Sequence, residues 1–313
     1  MTIFSGLPIT FLLGFYVSLV VKRWWEQYCK LPWPDNIALY LKGLVTGEQA
    51  LLVRRTVVRY CVLSYILCIR RLSVRLRKRF PSMAEIVQTG VMRQDEADRI
   101  GDENSLQMYG SKWWLPLQWS TEILTRAQQE GLVRNAPGFK ALISQVVEFR
   151  SGLCQVRTYG HIPVPLVYTQ VVTLAVYFYF GVSLIGEQWL LDDEVDLYYP
   201  IFMTIKFLFL FGWLRVAETL YNPFGEDDED FELNELINRH FRVGMNIVDD
   251  KETPPELQKD IFWGQRDPEL GDVGNNNELE SDMKDGNDEE EFRTNQERRD
   301  PMLGDWWTYS SHW

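Results

Sequence analysis

Three apolar stretches of membrane-spanning length restrict this chain to a small set of folds. They occupy residues 3–21, 164–185 and 199–220, and the first contains only Ser5, Thr10 and Ser18 as polar residues. An α-helix needs about 20 consecutive apolar residues to cross the hydrocarbon layer of a bilayer. Aromatic residues make up 14% of the chain and include 12 Trp, which suits a membrane protein with interfacial anchors. The sequence therefore predicts an all-α membrane protein with three spans.

Charged residues beside the three stretches predict their orientation. Lys22 and Arg23, followed by Trp24 and Trp25, come directly after the first stretch. Such a basic, Trp-marked flank is typical of the cytosolic side of a membrane. The loop at residues 187–196 is short and acidic, which favours the outside. The predicted topology has its N-terminus outside and its C-terminus in the cytosol.

Between the first and second stretches the chain reads as a helical cytosolic region. Residues 22–161 contain no further stretch of spanning length, and Leu142, Val146 and Phe149 recur at helical spacing. Residues 162–222 are predicted to hold two spans and a short outside loop. Residues 223–250 are predicted to hold an acidic Ca²⁺ clasp and the segment that follows it, and 251–313 are predicted to be a disordered acidic tail.

Charge is distributed unevenly along the chain. The net charge of -12 combines +5 up to Asn222 with -17 from Pro223 onward. A mildly basic body with an acidic tail does not predict nucleic-acid binding, which requires a basic stripe facing phosphates. The basic side suits a body that handles anions or faces acidic headgroups. Residues 70–79 form a basic face that fits acidic lipid, another subunit or plain solvent.

Five consecutive acidic residues, 226–230, follow the end of the third stretch and an Asn-Pro-Phe-Gly sequence. Carboxylate and carbonyl oxygens suit Ca²⁺, which accepts six to eight of them. The Ca²⁺-binding loop of an EF-hand is excluded because Phe231 follows Asp230 and no Gly lies inside the run. Pro223 disfavours helix at Asn222, and the carbonyls at a helix end are available as ligands. The alternative is a solvated acidic segment without a ligand.

Leu7, Phe11 and Phe15 fall on one face of the first predicted helix. Such a stripe commonly packs against lipid or another helix. If several copies surround an axis, the same side chains form a narrow apolar throat that closes by dewetting. Phe ring edges carry the positive part of the ring quadrupole, so they tolerate an anion better than a cation.

Catalytic and zinc motifs are absent from the sequence. It has no nucleophile elbow, phosphate-binding loop or His-Glu-x-x-His, and only three His in all, so an enzyme is not predicted. Its four Cys lack Cys-x-x-Cys spacing and have no His near enough in sequence to indicate zinc. We expect them to be buried free thiols in a reducing compartment.

Four motifs resemble the bestrophin family of Ca²⁺-activated anion channels. They are LPITFLLGFYVSLVVKRWW at residues 7–25, LPWPD at 31–35, IPVPLVYTQVVTLAVY at 162–177 and NPFGEDDEDFE at 222–232. The resemblance extends from the first residues to about residue 250. It implies a homopentameric chloride channel with the pore on the fivefold axis. The expected location is the plasma membrane, with several spans, lipid contacts and a cytosolic tail.

The resemblance also implies roles for particular residues. Residues 1–21 become a pore-lining helix whose neck consists of Leu7, Phe11 and Phe15, and a second constriction falls near Pro137, with Phe139 the nearest bulky residue. A regulatory Ca²⁺ would be held by the carboxylates of Asp227 and Asp230 and by the backbone carbonyls of Asn222 and Thr219.

The N-terminal part of this chain differs from the family pattern. Family members carry an N-terminal segment and a further membrane helix before the point that corresponds to Met1, and that segment supplies one more carbonyl ligand. An alternative function is therefore a non-conducting scaffold or regulatory subunit that assembles with longer relatives.

Overall fold

A computed structural model describes residues 9–101, 112–186, 201–249 and 255–259 of the chain. Within these ranges the chain forms eleven α-helices and no strand, apart from an isolated antiparallel bridge between Val45 and Val133. The predicted all-α fold is confirmed. The helices are α1 (Ile9–Cys29), α2 (Pro34–Leu44), α3 (Ala50–Ile69), α4 (Val74–Arg79), α5 (Met83–Gln88), α6 (Gln94–Ile100), α7 (Leu115–Gln129), α8 (Ala136–His161), α9 (Leu166–Gly186), α10 (Ile201–Leu220) and α11 (Leu233–Val248).

The chain divides into two units, Met1–Thr253 and Pro254–Trp313. All eleven helices belong to the first unit. In the second unit, the described residues 255–259 are non-helical and exposed. The predicted disordered tail otherwise lies outside the described residues, as does the acidic loop at 187–196.

Helices α1, α9 and α10 pack together around an apolar core of their own. Its buried side chains include Leu13 and Tyr16 from α1, Val176 from α9 and Leu214 from α10. Large apolar side chains also cover the outer faces of these helices, as Leu174 and Phe209 do. By length and composition, one described segment, Leu166–Leu184, is sufficiently long and apolar to cross a membrane. The three-span topology remains a prediction.

The second core is built around α3, in which every residue from 60 to 69 is buried. A helix that is apolar on all sides belongs in the centre of a bundle. Helices α2, α7, α8 and α11 surround it. Helix α11 comes from the segment after the acidic run, and two ion pairs fasten it: Arg239 with Asp35 of α2 (2.7 Å) and Asp249 with Arg55 of α3 (2.5 Å).

A buried carboxylate joins α6 to this central helix. Glu96 accepts hydrogen bonds from both terminal nitrogens of Arg59 (2.7 and 2.6 Å), from the Tyr60 hydroxyl (2.9 Å) and from the Arg93 N–H (2.9 Å). Burial alone would raise the pKa of Glu96, but these hydrogen bonds together lower it. Burial, reinforced by the bond to Glu96, raises the pKa of Tyr60 to about 12.

The four Cys are free thiols, as predicted, but only Cys61 and Cys68 are buried. Cys29 and Cys154 are exposed, so the prediction that all four are buried was wrong for these two. Cys29 is the last residue of α1, and Cys154 lies on an outward face of α8. Burial raises the pKa of both Cys61 and Cys68 to about 12, which leaves these thiols unreactive.

His240 makes the packing of α11 sensitive to pH. The ring is 1% exposed and lies between Trp33 and Tyr65, with centroid distances of 5.1 and 5.2 Å. Burial lowers the pKa of His240 to about 4, although Asp35 opposes the shift. Since an unfolded His titrates near 6.5, the folded state binds this proton less tightly than the unfolded state. The stabilising contribution is complete above pH 6.5 and is lost as the pH falls toward 4.

We expect His240→Phe to flatten this pH dependence. Between about pH 7 and about pH 5, titration of His240 should cost the wild-type chain about 2 kcal/mol of unfolding free energy that the variant retains. Thermal unfolding at the two pH values measures the difference, and substitution of the exposed His161 by Phe is the matched control. An equal loss in the wild type and in His240→Phe would contradict the assignment.

Candidate ion site and candidate gate

The predicted ion ligands lie where α10 ends and the chain makes a compact turn. We call residues 222–232 the acidic turn. Three backbone hydrogen bonds hold it: Gly225 N–H to the Asn222 carbonyl (3.3 Å), Asp230 N–H to that of Asp227 (3.1 Å) and Phe231 N–H to that of Pro223 (3.0 Å). Tyr221, the residue before the turn, donates to the carbonyl of Val164 (3.1 Å), which lies two residues before α9. The acidic run is therefore a folded turn.

Asp230 is the one buried carboxylate of the acidic turn, with 6% of the residue exposed. Its Oδ2 accepts a hydrogen bond from the Asp227 N–H (2.8 Å). A Cβ on Gly225 would lie 2.5 Å from this Oδ2 and 3.4 Å from the Asn222 carbonyl oxygen. The lack of a side chain at Gly225 thus lets a carboxylate oxygen and a main-chain carbonyl oxygen face the same small space. Such a pair of hard oxygen donors suits Ca²⁺.

The surroundings of Asp230 disfavour its charged form. Burial raises the pKa of Asp230; the hydrogen bond from the Asp227 N–H opposes the shift, while the negative charge of Asp227 adds to it. Arg75 offsets part of this shift and Glu229 adds to it. A cation beside Asp230 would favour its charged form and lower its pKa.

The other predicted ligands are more accessible. Asp227 and Asn222 are exposed, and Thr219 is half-buried in the last turn of α10. The Thr219 hydroxyl donates to the Arg215 carbonyl (3.0 Å), and its own carbonyl is among the last of the helix, where intrahelical partners run out. In the described part of the chain, no three Asp, Glu, His or Cys side chains converge as a metal centre. The four predicted ligands would therefore give a Ca²⁺ site two carboxylates and two backbone carbonyls.

Basic side chains of α4 form ion pairs and hydrogen bonds with the acidic turn. Arg75 pairs with the Glu232 carboxylate and donates to the carbonyls of Glu226 (3.0 Å) and Asp227 (2.7 Å). Lys78 donates to the Glu226 carboxylate (2.7 Å). From the sequence, acidic lipid, another subunit or solvent were the expected partners of the basic face at residues 70–79. These two side chains instead face the acidic segment of their own chain, a partner that was not predicted.

Aromatic rings connect the acidic turn to α1. Phe231, the residue after Asp230, packs against Trp24 and Tyr28 with centroid distances of 5.3 Å to each, and against Phe224 at 5.6 Å. Trp24 and Tyr28 lie on the C-terminal part of α1. A shift of Phe231 would therefore act directly on the helix that carries the predicted gate.

Phe11 and Phe15 lie on the exposed side of α1. They are 65% and 56% exposed, and their rings meet edge to face at 4.5 Å. The opposite side of the helix supplies Leu13, Tyr16 and Val20 to the core shared with α9 and α10. The two rings thus form an apolar surface directed away from the subunit's own helices. Leu7, the third predicted member of the neck, lies outside the described residues.

Pro137 lies in a different part of the molecule from these rings. It is exposed in the first turn of α8, where the Asn135 side chain accepts a hydrogen bond from the Gly138 N–H (2.7 Å). Phe139 is partly buried and packs against the core around α3. Of the two predicted positions, Pro137 is thus the exposed one. Its role in a constriction remains a prediction.

Comparison with known proteins gives one consistent result. A family model described as bestrophin, RFP-TM, chloride channel matches residues 2–250. Human Bestrophin-3 is 42% identical over 266 residues, which cover 82% of this chain and 39% of that protein. Mouse Bestrophin-2 is 43% identical over 268 residues, which cover 83% of this chain and 52% of that protein. The chain thus spans about two fifths to one half of the length of these relatives.

Solved structures share the fold. A bacterial bestrophin homolog from Klebsiella pneumoniae superposes with a TM-score of 0.63 at 19% identity, covering 78% of this chain and 84% of that one. A second structure, described as a membrane protein, gives a TM-score of 0.62 with the same identity and coverage. At this identity the likeness concerns the arrangement of helices alone.

Proposed function

The chain belongs to the bestrophin family, and from that premise we propose that it is a subunit of a chloride channel opened by cytosolic Ca²⁺. The observation that carries the proposal is the pairing of two features on one helix. Phe11 and Phe15 project from the outer side of α1, while Trp24 and Tyr28 of the same helix contact the acidic turn through Phe231. The proposal agrees with the prediction that the chain is not an enzyme.

We place the pore along the exposed side of α1. Two adjacent aromatic rings on the exposed side of a membrane-type helix need a covering surface, which is either lipid or another copy of the channel subunit. Five copies around an axis, either of this chain or of this chain with related subunits, would bring these rings together as a narrow throat. A throat of phenyl rings excludes water, and hence ions, until it widens. Ring edges that face the axis favour an anion.

Asp227, Asp230 and the carbonyls of Asn222 and Thr219 would hold the regulatory ion. Bound Ca²⁺ supplies two positive charges where the clustered carboxylates otherwise repel one another. Without that charge, the buried Asp230 carboxylate is stabilised mainly by the hydrogen bond from the Asp227 N–H and by the nearby positive charge of Arg75. With it, the acidic turn is expected to be more ordered. Phe231 then holds Trp24 and Tyr28 in a different position, and α1 moves with them.

Chloride efflux from liposomes tests the function. The full chain is purified, reconstituted alone into chloride-loaded vesicles and assayed with and without micromolar Ca²⁺ on the cytosolic face. We expect efflux that requires Ca²⁺ and passes chloride in preference to potassium. Vesicles that contain the folded protein yet stay tight with Ca²⁺ would favour a non-conducting scaffold or regulatory subunit.

Gly225→Ala should selectively weaken the Ca²⁺ response. The added methyl group would lie 2.5 Å from Asp230 Oδ2, well inside contact distance, so the carboxylate must leave its place. We expect at least a roughly tenfold increase in the Ca²⁺ concentration for half-maximal efflux, which corresponds to about 1.4 kcal/mol of ligand binding. Gly43→Ala is the matched control, because a Cβ there meets no atom within 4 Å. An unchanged Ca²⁺ response in Gly225→Ala would count against a site beside Asp230.

A further inference from the structure

Apart from the acidic turn, the first unit contains a strongly basic cavity of about 580 Å³. We propose that this cavity binds an inositol phosphate group that carries two or more phosphates. The cavity is lined by Arg70, Arg71, Leu72, Arg77, Pro81, Arg157, Gly160 and His161. The inference goes beyond the proposed channel function and does not depend on it, since binding can be measured without conduction.

Four Arg residues line this one space, and their charge indicates the chemistry of the ligand. They come from the end of α3, from α4 and from the last turns of α8, and the described lining residues include no carboxylate. Arg presents a planar fork of N–H donors that matches phosphate oxygens two at a time. The cavity is much larger than a halide needs, and its size is within the range of small-molecule sites. Several phosphates on one compact ring fit both the charge and the volume.

Part of the cavity is held in shape by contacts of its own. Arg70 is buried and donates to the Pro81 carbonyl (2.5 Å), which fixes one guanidinium in the wall. Arg157 Nε lies 3.2 Å from His161 Nε2, so these two side chains support each other at the end of α8. At Gly160 a Cβ would lie 2.3 Å from Leu72 Cδ2, which shows how closely α8 and the segment after α3 approach here.

Helix α4 divides its basic side chains between two partners. Arg75 and Lys78 contact the acidic turn, and Arg79 donates to the Asn234 carbonyl (3.1 Å) and the Asn238 side chain (2.7 Å) of α11. Arg77 does not share these contacts and lines the cavity. Side chains on one face of α4 thus bind the acidic turn. Arg77 lies on another face and is available to bind an anion in the cavity.

The position of the cavity indicates where the phosphates come from. His161 is the last residue of α8, and the membrane-type helix α9 begins five residues later at Leu166. Arg23, in the basic flank of α1, donates to the carbonyls of Tyr159 and Ile162 beside it (2.6 Å each). In the predicted topology the cavity lies where the cytosolic region meets the bilayer. Two sources share the required chemistry there, a phosphoinositide headgroup and a free inositol phosphate.

Direct binding to the purified full chain in detergent tests the proposal. The probes are dioctanoyl phosphatidylinositol bisphosphate, soluble inositol trisphosphate and, as a lipid with a single phosphate, dioctanoyl phosphatidylserine. We expect at least one inositol probe to bind more tightly than the serine lipid. We expect Arg71→Gln with Arg77→Gln to weaken that binding at least tenfold. Preference for the lipid identifies the headgroup as the source; equal or better binding of the soluble probe identifies the free inositol phosphate.

A charge-matched control separates the cavity from net charge. Arg134→Gln with Lys140→Gln removes two exposed basic side chains near the start of α8, about 30 Å along the helix from His161. This variant should bind like the wild type. If the first variant aggregates, Arg77→Gln alone carries the test, because that side chain is exposed. The proposal is overturned if neither inositol probe binds, if the serine lipid binds as well, or if both double variants lose affinity equally.

Discussion

Replacing both Phe11 and Phe15 by Ala should leave chloride current flowing when cytosolic Ca²⁺ is only nanomolar. The two rings are the most exposed large apolar side chains in the described part of α1, and they touch each other edge to face. Without them the throat widens by two ring layers and wets readily. We expect the current at nanomolar Ca²⁺ to be at least about tenfold larger than in the wild type, a shift of about 1.4 kcal/mol in the closed-to-open equilibrium. Excised-patch recording measures it.

The control for this experiment removes two phenyl rings elsewhere. Phe178 on α9 and Phe209 on α10 are as exposed as the α1 pair but lie on other helices. Their double Ala variant should remain closed at nanomolar Ca²⁺. If the Phe11 and Phe15 variant still closes completely at low Ca²⁺, these residues are not the gate.

Asp230→Asn should shift Ca²⁺ activation to much higher concentrations. Asn retains the shape of the side chain and an oxygen that accepts from the Asp227 N–H, so the acidic turn should keep its fold. The variant lacks the buried negative charge on which a hard cation depends. We expect the half-activating Ca²⁺ concentration to rise at least about tenfold, with the maximal current retained. The same recordings, with stepped Ca²⁺, give the value.

Asp228→Asn is the matched control for Asp230. Asp228 belongs to the same acidic run but is exposed. Its neutralisation removes one charge and leaves the Asp230 carboxylate in place beside Gly225. The expected change is less than about twofold, because exposed charges are screened by solvent. Equal shifts in the two variants would mean that the acidic run acts through its overall charge and that Asp230 is not a ligand.

The long apolar stretches sufficed to predict α9 and α10. The stretches at 164–185 and 199–220 correspond to α9 and α10 within a few residues, because a long apolar run has few ways to satisfy its backbone. The packing of α11 was not predicted, although Leu233, Ile237, Gly244 and Val248 recur on one face. The partner of such a face, here α2 and α3, depends on contacts that are distant in sequence.

The candidate ion site was likewise predicted only in part. The sequence identified the acidic run and the helix end before it, but the burial of Asp230 among its exposed neighbours depends on how the turn closes between Pro223 and Phe231. The need for Gly225 likewise appears only in three dimensions, since it follows from the approach of Asp230 Oδ2. The residues that grip the turn, Arg75 and Lys78, lie about 150 positions earlier in the chain. The opposite charges of the two segments are the one sequence signal for this pairing, and they do not identify which side chains meet.

Current through an excised patch that contains only this chain tests the central claim most directly. Cytosolic Ca²⁺ is stepped from nanomolar to micromolar while the chloride gradient is varied. A channel opened through Asp230 predicts a current that appears with Ca²⁺ and reverses at the chloride equilibrium potential. Absence of any Ca²⁺-dependent current, with the protein present at the cell surface, would contradict the account.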